Sequence, residues 1–341
     1  MRMRRLGDSG LYVSELCFGA MTFGGSEGIW GKVGKLGQDD ADALVKAALD
    51  AGINFIDTAN IYAHGRSEEI LGQSLKNLGA SRDDLVIATK VAGPMGEDIN
   101  MRGASRRHII SQCHASMKRL GIDHIDLYQI HEIDLATPIE ETMEALDTLV
   151  RAGDVHYLGL SNWAAWQIMK AVGIAQMRNL APIVSLQAYY TLVGRELERE
   201  IIPMITSEGV GLMVWSPLAG GYLTGKYSNN GDSSDGRLTI LDFPPIDRVR
   251  GEPLIGVLRQ VAQKHERSPG QIAIAWLLKQ QAVSSVIIGA KRVDQLVENV
   301  QATEIELDAD DMAALDEVSQ LPVEYPGWLL DRPTDRNPAN K

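Results

Sequence analysis

Cysteine is scarce in this chain, with two residues, Cys17 and Cys113, in 341. No CxxC spacing occurs, which excludes a disulfide framework and a cysteine-built metal centre. Cys17 falls in an apolar strand-like run and Cys113 on a helical stripe, so both are expected as buried free thiols. Long hydrophobic runs are missing too. No stretch of about 18 apolar residues occurs, so no transmembrane helix is expected. The basic start Met1-Arg2-Met3-Arg4-Arg5 is followed by no apolar core of the kind a secretory leader carries. Positive charge is in deficit: 33 Lys and Arg face 45 Asp and Glu, for a formal net charge of -12. That balance argues against general nucleic-acid binding and against anionic membranes. A cytoplasmic, reduced protein is expected. Nothing in the sequence specifies an oligomeric state.

Two motif absences narrow the class further. A dinucleotide-binding open sheet normally carries G-x-G-x-x-G in its first turn, and none is found here. HExxH is absent, and His131-Glu132-Ile133-Asp134 has no second histidine at helix spacing, so no metal is expected. The stretch Gly220 to Tyr227 approaches a phosphate-binding loop. It fails because Tyr227 replaces the hydroxyl residue that holds magnesium, and turn residues follow where a helix is needed.

What the chain does contain is a repeated strand–helix unit. Apolar strand candidates lie at 16–20, 53–57, 85–90, 125–130, 155–160, 183–187, 210–214 and 284–288. The first helix is capped by Asp39 or Asp40, carries Leu44, Val45, Ala48 and Leu49 on one face, and ends at Gly52. Further helices are read at 67–78, 105–120, 138–152, 163–175, 197–208, 252–266, 269–281, 292–301 and 309–319. Ser105 can cap the third of these patterns. Thr137-Pro138-Ile139-Glu140 and Ser268-Pro269-Gly270-Gln271 read as capping boxes with proline at the first helical position. A hairpin spans 4–15, a Gly-rich loop with Trp30 spans 21–38, and a second long loop spans 217–250.

Strands without polar alternation have both faces covered, so the sheet is parallel. Eight such βα units close into a barrel. The expected fold is therefore a single-domain (β/α)8 TIM barrel with an N-terminal β-hairpin and an extra C-terminal helix. Its core spans about residues 3–320, and 321–341 form an irregular tail. At 341 residues, 45% of them hydrophobic, the chain suits one such unit.

Three successive strands end on polar groups. Ile53 to Asp57 ends on an acid, Leu85 to Lys90 on a lysine, and Ile125 to His131 on a histidine. In a barrel these carboxyl ends share one rim, and Tyr62 hangs over it from the loop after Asp57. The set suits proton transfer to a carbonyl oxygen. A tyrosine with a pKa near ~10 keeps its proton at neutral pH. A neighbouring ammonium stabilises the phenolate, an aspartate fixes the lysine, and a histidine orients the substrate oxygen. None of these groups supplies a hydride, so a redox cofactor is required.

These residues sit in motifs that resemble the aldo-keto reductases over about residues 3–320. The matching segments are Gly52-Ile53-Asn54-Phe55-Ile56-Asp57-Thr58-Ala59 with Tyr62, Gly65-Arg66-Ser67-Glu68, Thr89-Lys90, and Asp126-Leu127-Tyr128-Gln129-Ile130-His131. The resemblance implies an active NADPH-dependent reductase of aldehydes or ketones, with Tyr62 as general acid assisted by Lys90, Asp57 and His131. NADH is the alternative cofactor. It further implies that Gly19, Ala20, Met21 and Asp57 border the cofactor. Ser161, Asn162 and Gln187 would meet the carboxamide, and Trp215 would stack on the nicotinamide. Ser216, Pro217, Leu218, Ala219 and Gly220 would wrap the pyrophosphate with Lys226. Gly289, Lys291, Gln295, Glu298 and Asn299 would meet the adenosine phosphate. Lys291 and Arg292 at a helix start suit a 2′-phosphate, although some members carry arginine at the position of Gln295.

Other readings stand beside these. Asn162 also fits an N-cap for a helix beginning at Trp163, and Lys291 and Arg292 also fit a solvated surface. His64 reads as a solvated loop residue. His108, His114, His124, His156 and His265 read as surface or cap positions, and Trp163 and Trp166 as helix packing. Trp30, Tyr325, Trp328 and Leu329 suggest an apolar mouth for a bulky neutral carbonyl substrate. The chain also resembles regulatory potassium-channel beta subunits around Trp215 to Leu218 and Gln295 to Asn299, which gives a cofactor-binding regulator as the alternative function. A cofactor-free lyase or isomerase barrel is the third reading.

Overall fold

The computed structural model describes residues 1–227 and 237–330. Parts of the expected loop 217–250 and tail 321–341 therefore lie outside the described residues. Strands β1 (Met3–Arg5) and β2 (Tyr12–Ser14) pair antiparallel as a hairpin. The next eight strands are β3 (Leu16–Gly19), β4 (Phe55–Asp57), β5 (Val86–Val91), β6 (Ile125–Ile130), β7 (Val155–Ser161), β8 (Ile183–Tyr189), β9 (Gly211–Trp215) and β10 (Val283–Ile288). They form one closed parallel barrel, which β10 completes by pairing with β3 at Val286 and Leu16. Helices cover the outside, and among the described residues none is long and apolar enough to cross a membrane.

The core has two layers. Strand faces and helices bury one large apolar cluster outside the barrel. Leu6, Val13, Cys17, Phe55, Val86, Ala88, Leu127, Val184, Met213 and Ile287 fill its interior. The hairpin closes the floor. Gly7 takes φ +58°, and a Cβ there would stand 2.4 Å from Gly209 O, so the turn needs glycine for both reasons. Glu15, buried behind the hairpin, receives Arg4 at 3.1 Å. An apolar, plugged floor leaves the carboxyl ends of the strands as the open mouth.

Several local expectations are corrected. The helix Gln38–Asp50 has Gly37 at its N-cap, and Asp39 and Asp40 lie in its first turn, where the helix dipole favours acids. The box at Thr137 does not form. Pro138 is the N-cap without a side-chain bond, because Thr137 Oγ1 donates to Asp134 at 2.7 Å. The loop 21–38 contains a helix, Gly28–Val33, and the tail contains another, Gly327–Leu330. The pattern at 197–208 divides into a 3-10 turn, Glu196–Glu198, and a helix, Ile201–Glu208. His108 is buried at 1% exposure, and Trp166 is 66% exposed and packs little. The cap at Ser105 and the box at Ser268 form as read, with Ser105 Oγ accepting from His108 N and Ser268 Oγ from Gln271 N.

Candidate active site

Asp57 is the last residue of β4, Lys90 is next to last in β5, and His131 directly follows β6. The barrel register sets Asp57 beside Ala88 and Lys90 beside Gln129. Lys90 is wholly buried. Its ammonium donates to Asp57 Oδ2 at 2.5 Å, to Thr58 O at 2.8 Å and to Tyr62 Oη at 3.2 Å. The His131 ring stands edge-on to Tyr62 with centroids 5.7 Å apart, and Trp30 packs tilted against Tyr62 at 5.6 Å. The four groups read from separate stretches of chain therefore meet at one point on the rim.

Tyr62 is held there by strained backbone. It opens the 3-10 turn Tyr62–Gly65, in which Ala63 and His64 take φ +48° and +53° and Gly65 takes +91°. Left-handed non-glycine residues cost on the order of 1–3 kcal/mol each. Fixtures behind the turn offset this. Ser67 Oγ lies 3.0 Å from Thr58 Oγ1 and donates to Ala20 O at 2.8 Å. Glu68, with no solvent exposure, accepts from Thr89 Oγ1 at 2.5 Å and from Arg119 Nε at 2.6 Å. Arg119 also packs against Gly65, where a Cβ would come within 2.7 Å of it.

Charge in the pocket is well defined. Burial alone would lower the Lys90 pKa, but the Asp57 carboxylate and then the Tyr62 phenol outweigh it, so the net shift is upward. His131 is pushed down to about 3, first by loss of hydration and then by the Lys90 ammonium. Lys90 is therefore a cation and His131 a neutral imidazole at physiological pH. Cys17 lies nearby inside the barrel, and burial first and Asp57 second push its thiol up, which keeps it inert.

The second arc of the rim carries amides and aromatics. Asn162, at φ +60°, donates to His131 O at 3.1 Å and to Ser161 Oγ at 3.0 Å, and accepts from Trp215 Nε1 at 2.9 Å. It is not a helix cap. Ala164 holds that position, and Asn162 instead ties the loop after β7 to the neighbouring strands. Gln187 donates to Asp57 Oδ1 at 2.9 Å and to Gln129 Oε1 at 3.1 Å, and Gln129 donates to Asp57 Oδ1 at 3.0 Å. Gln129 was missed in the sequence, although it stands two residues before His131 and so shares its inward face. Trp215 lies between Tyr189, at 5.1 Å, and Phe243, stacked at 5.7 Å.

The third arc holds the cations. Ser216, Ala219, Gly220 and Gly221 take φ +51°, +49°, +64° and +92°, and Gly220 N donates to Ser216 Oγ at 3.2 Å. Pro217 O is fixed by Thr191 Oγ1 at 2.7 Å, and Leu218 is half-buried beside it. A Cβ on Gly221 would stand 3.0 Å from Lys226 Nζ, so glycine leaves that ammonium its place. Burial first and Lys291 second hold Lys226 below the usual lysine range. Neither lysine has an ion-pair partner among the described residues. Arg292 is committed to Asp294 at 2.9 Å, and Gln295 Oε1 accepts from Lys291 N at 3.0 Å. The following helix, Val293–Gln301, has no side-chain cap. Exposed Glu298 and half-buried Asn299 lie in its last turns. Gly19 and Gly289 face one another across β3 and β10, with Ala20 buried and Met21 half-buried beside them, so this part of the rim is low.

The near phosphate-loop motif has a different role, because Tyr227 is buried and its hydroxyl accepts from Leu238 N at 3.1 Å. At the barrel floor, His124, Asp126 and His156 bring ligand-type atoms within 4.8 Å of one another. Their imidazoles stack face to face at 4.2 Å, and Asp126 is committed to Arg82 at 2.5 Å and to Ile87 N at 2.8 Å. That group is a brace rather than an open ligand set. Tyr325 and Trp328 pack on each other at 6.0 Å beside the short C-terminal helix.

Comparison with known proteins agrees with this geometry. The sequence model described as "Aldo/keto reductase family" matches residues 15–320. A "Probable voltage-gated potassium channel subunit beta" from Arabidopsis thaliana is 39% identical over 315 residues, covering 89% of this chain and 92% of the relative. An "Uncharacterized oxidoreductase YrpG" from Bacillus subtilis (strain 168) is 36% identical over 330 residues, covering 93% and 96%. A "Versiconal hemiacetal acetate reductase" from Aspergillus parasiticus is 35% identical over 338 residues, again covering 93% and 96%.

Proposed function

The chain belongs to the Aldo/keto reductase family, and on that footing we propose that it is an NADPH-dependent reductase of aldehydes and ketones with Tyr62 as its general acid. The observation that carries this reading is the 3.2 Å contact between Tyr62 Oη and a wholly buried Lys90 ammonium. When bound, the reduced nicotinamide supplies the hydride. The phenol of Tyr62 gives its proton to the carbonyl oxygen, and Lys90 stabilises the phenolate left behind. Asp57 keeps Lys90 charged and in place. His131 is neutral and donates a hydrogen bond to the same oxygen without competing as an acid.

The residues present fit a nicotinamide nucleotide. Gln187 has both amide hydrogens engaged within the protein, so its Oε1 is the atom left to accept from a carboxamide N–H. Ser161 Oγ accepts from Asn162, which leaves its own hydrogen to donate to a carboxamide oxygen. Two lysines without ion-pair partners among the described residues, beside a left-handed glycine turn and an uncapped helix start, suit phosphates. Lys291 is the 2′-phosphate contact, and Arg292 contributes less because Asp294 already holds it. A bulky neutral carbonyl compound suits a mouth where Trp30 packs on Tyr62 and Phe243 stacks on Trp215.

The decisive experiment incubates the purified protein with NADPH and a nitrobenzaldehyde and follows loss of the reduced nicotinamide. Turnover supports the reading, and binding of NADPH without turnover contradicts it. A second reading, a cofactor-binding regulatory subunit, is favoured by the relative named as a potassium channel subunit beta. That reading predicts the second outcome.

A further inference from the structure

We infer that Gln129, which no motif assigns, is a positioning residue for the proton-transfer group and acts through Asp57; this rests on the reductase reading above. Gln129 is wholly buried and is the register partner of Lys90. Its Nε2 donates to Asp57 Oδ1 at 3.0 Å, and its Oε1 accepts from Gln187 Nε2 at 3.1 Å. Gln187 Nε2 donates to the same Asp57 oxygen at 2.9 Å. A carboxylate oxygen only accepts, so both amides are forced to turn their nitrogens towards it. The two amides take Oδ1, and Oδ2 is left facing Lys90 at 2.5 Å.

This division of labour fixes the carboxylate plane. A buried ion pair holds its geometry only when its remaining lone pairs are also satisfied. Without Gln129, Oδ1 keeps a single donor, Gln187, which has itself lost its acceptor, so the Asp57 carboxylate can turn and the anchor that delivers the Lys90 ammonium to Tyr62 is loosened. A second, independent observation points the same way. Gly159 on β7 is the register partner of Gln129. A Cβ at 159 would stand 2.9 Å from Gln129 Cγ and 2.5 Å from Ser185 Oγ. The absence of a side chain at 159 is what makes room for the glutamine inside the barrel.

The test is Gln129→Leu, which keeps the volume, removes one of the two donors on Oδ1 and takes from Gln187 Nε2 the acceptor that orients it. The expected result is a kcat lowered about tenfold with NADPH affinity within about threefold of wild type. In an Asp57→Ala background the same change should add less than about twofold, because its effect runs through Asp57. Gly159→Ala, which pushes Gln129 aside, should reproduce the loss in kcat. A normal kcat in Gln129→Leu, or a full additive loss in the Asp57→Ala background, overturns the inference. A crystal structure of Gln129→Leu gives a readout that needs no turnover. A rotated Asp57 carboxylate supports the inference, and an unchanged Asp57–Lys90 contact overturns it. Wild-type protein that binds NADPH but never turns over sinks the reductase reading instead, and the crystal structure then decides this one alone.

Discussion

Tyr62 Oη lies 3.2 Å from Lys90 Nζ, and the same ammonium stands 4.8 Å from the Tyr62 ring centroid. A cation fixed beside a phenol favours the anion that proton donation creates. The arrangement has no solvent path to the ammonium, which is wholly buried. Its charge is shared among Asp57, Tyr62 and His131, and low local polarity strengthens each of these short electrostatic contacts.

Cofactor choice gives the first prediction. Lys291→Ala should weaken NADPH by roughly tenfold while changing NADH by less than twofold, the scale of one charge-assisted phosphate contact. Lys226→Ala should weaken both nucleotides alike. Fluorescence titration of the two variants checks this, and equal losses of NADPH and NADH in Lys291→Ala would refute the 2′-phosphate contact.

The pH dependence follows from His131. Its folded pKa of about 3 lies below the ordinary histidine value, so the unfolded chain binds the extra proton first. The stability it contributes is whole above about pH 6.5 and is lost as pH falls towards the folded value. Lys90 has the opposite sign. Its pKa is raised, so its contribution is present below the ordinary lysine value and is lost as pH rises through the folded one. Thermal melts should show a Tm that falls below about pH 6. His131→Gln should flatten the acid limb, and an equally steep acid limb in that variant would contradict the assignment.

Glu68 should matter to stability. Its carboxylate is wholly buried against Arg119, which is 17% exposed. Glu68→Ala strands that guanidinium and frees Thr89, the neighbour of Lys90. The expected destabilisation is about 3 kcal/mol, at the lower end for a broken buried pair because Arg119 keeps some solvent. Denaturant unfolding measures it, and a change below about 1 kcal/mol would show that the pair contributes no more than a surface bridge.

The barrel was legible because its strands are apolar on both faces, and only a covered parallel sheet demands that. The polar strand ends at Asp57, Lys90 and His131 were legible because they break those runs at the carboxyl end. Gln129 was harder to read, since it lies inside an apolar strand where a glutamine resembles an ordinary interruption. Only strand parity, which turns 129 and 131 to the same side, could have marked it. The failed box at Thr137 and the miscast cap at Asn162 have a common cause. Each side chain had a competing partner: Asp134, three residues upstream, for Thr137, and Trp215, a distant residue that local sequence does not display, for Asn162. The helix Gly28–Val33, which sets Trp30 over Tyr62, is six residues long and Gly-rich, too short for periodicity to reveal.

Tyr62→Phe offers the most direct measurement, because it removes one oxygen from the rim and leaves the ring packed against Trp30 and His131. Single-turnover reduction of a nitrobenzaldehyde by bound NADPH should slow by at least ~10²-fold, with NADPH affinity nearly unchanged. A rate within a few fold of wild type would contradict the assignment of that phenol as the proton donor.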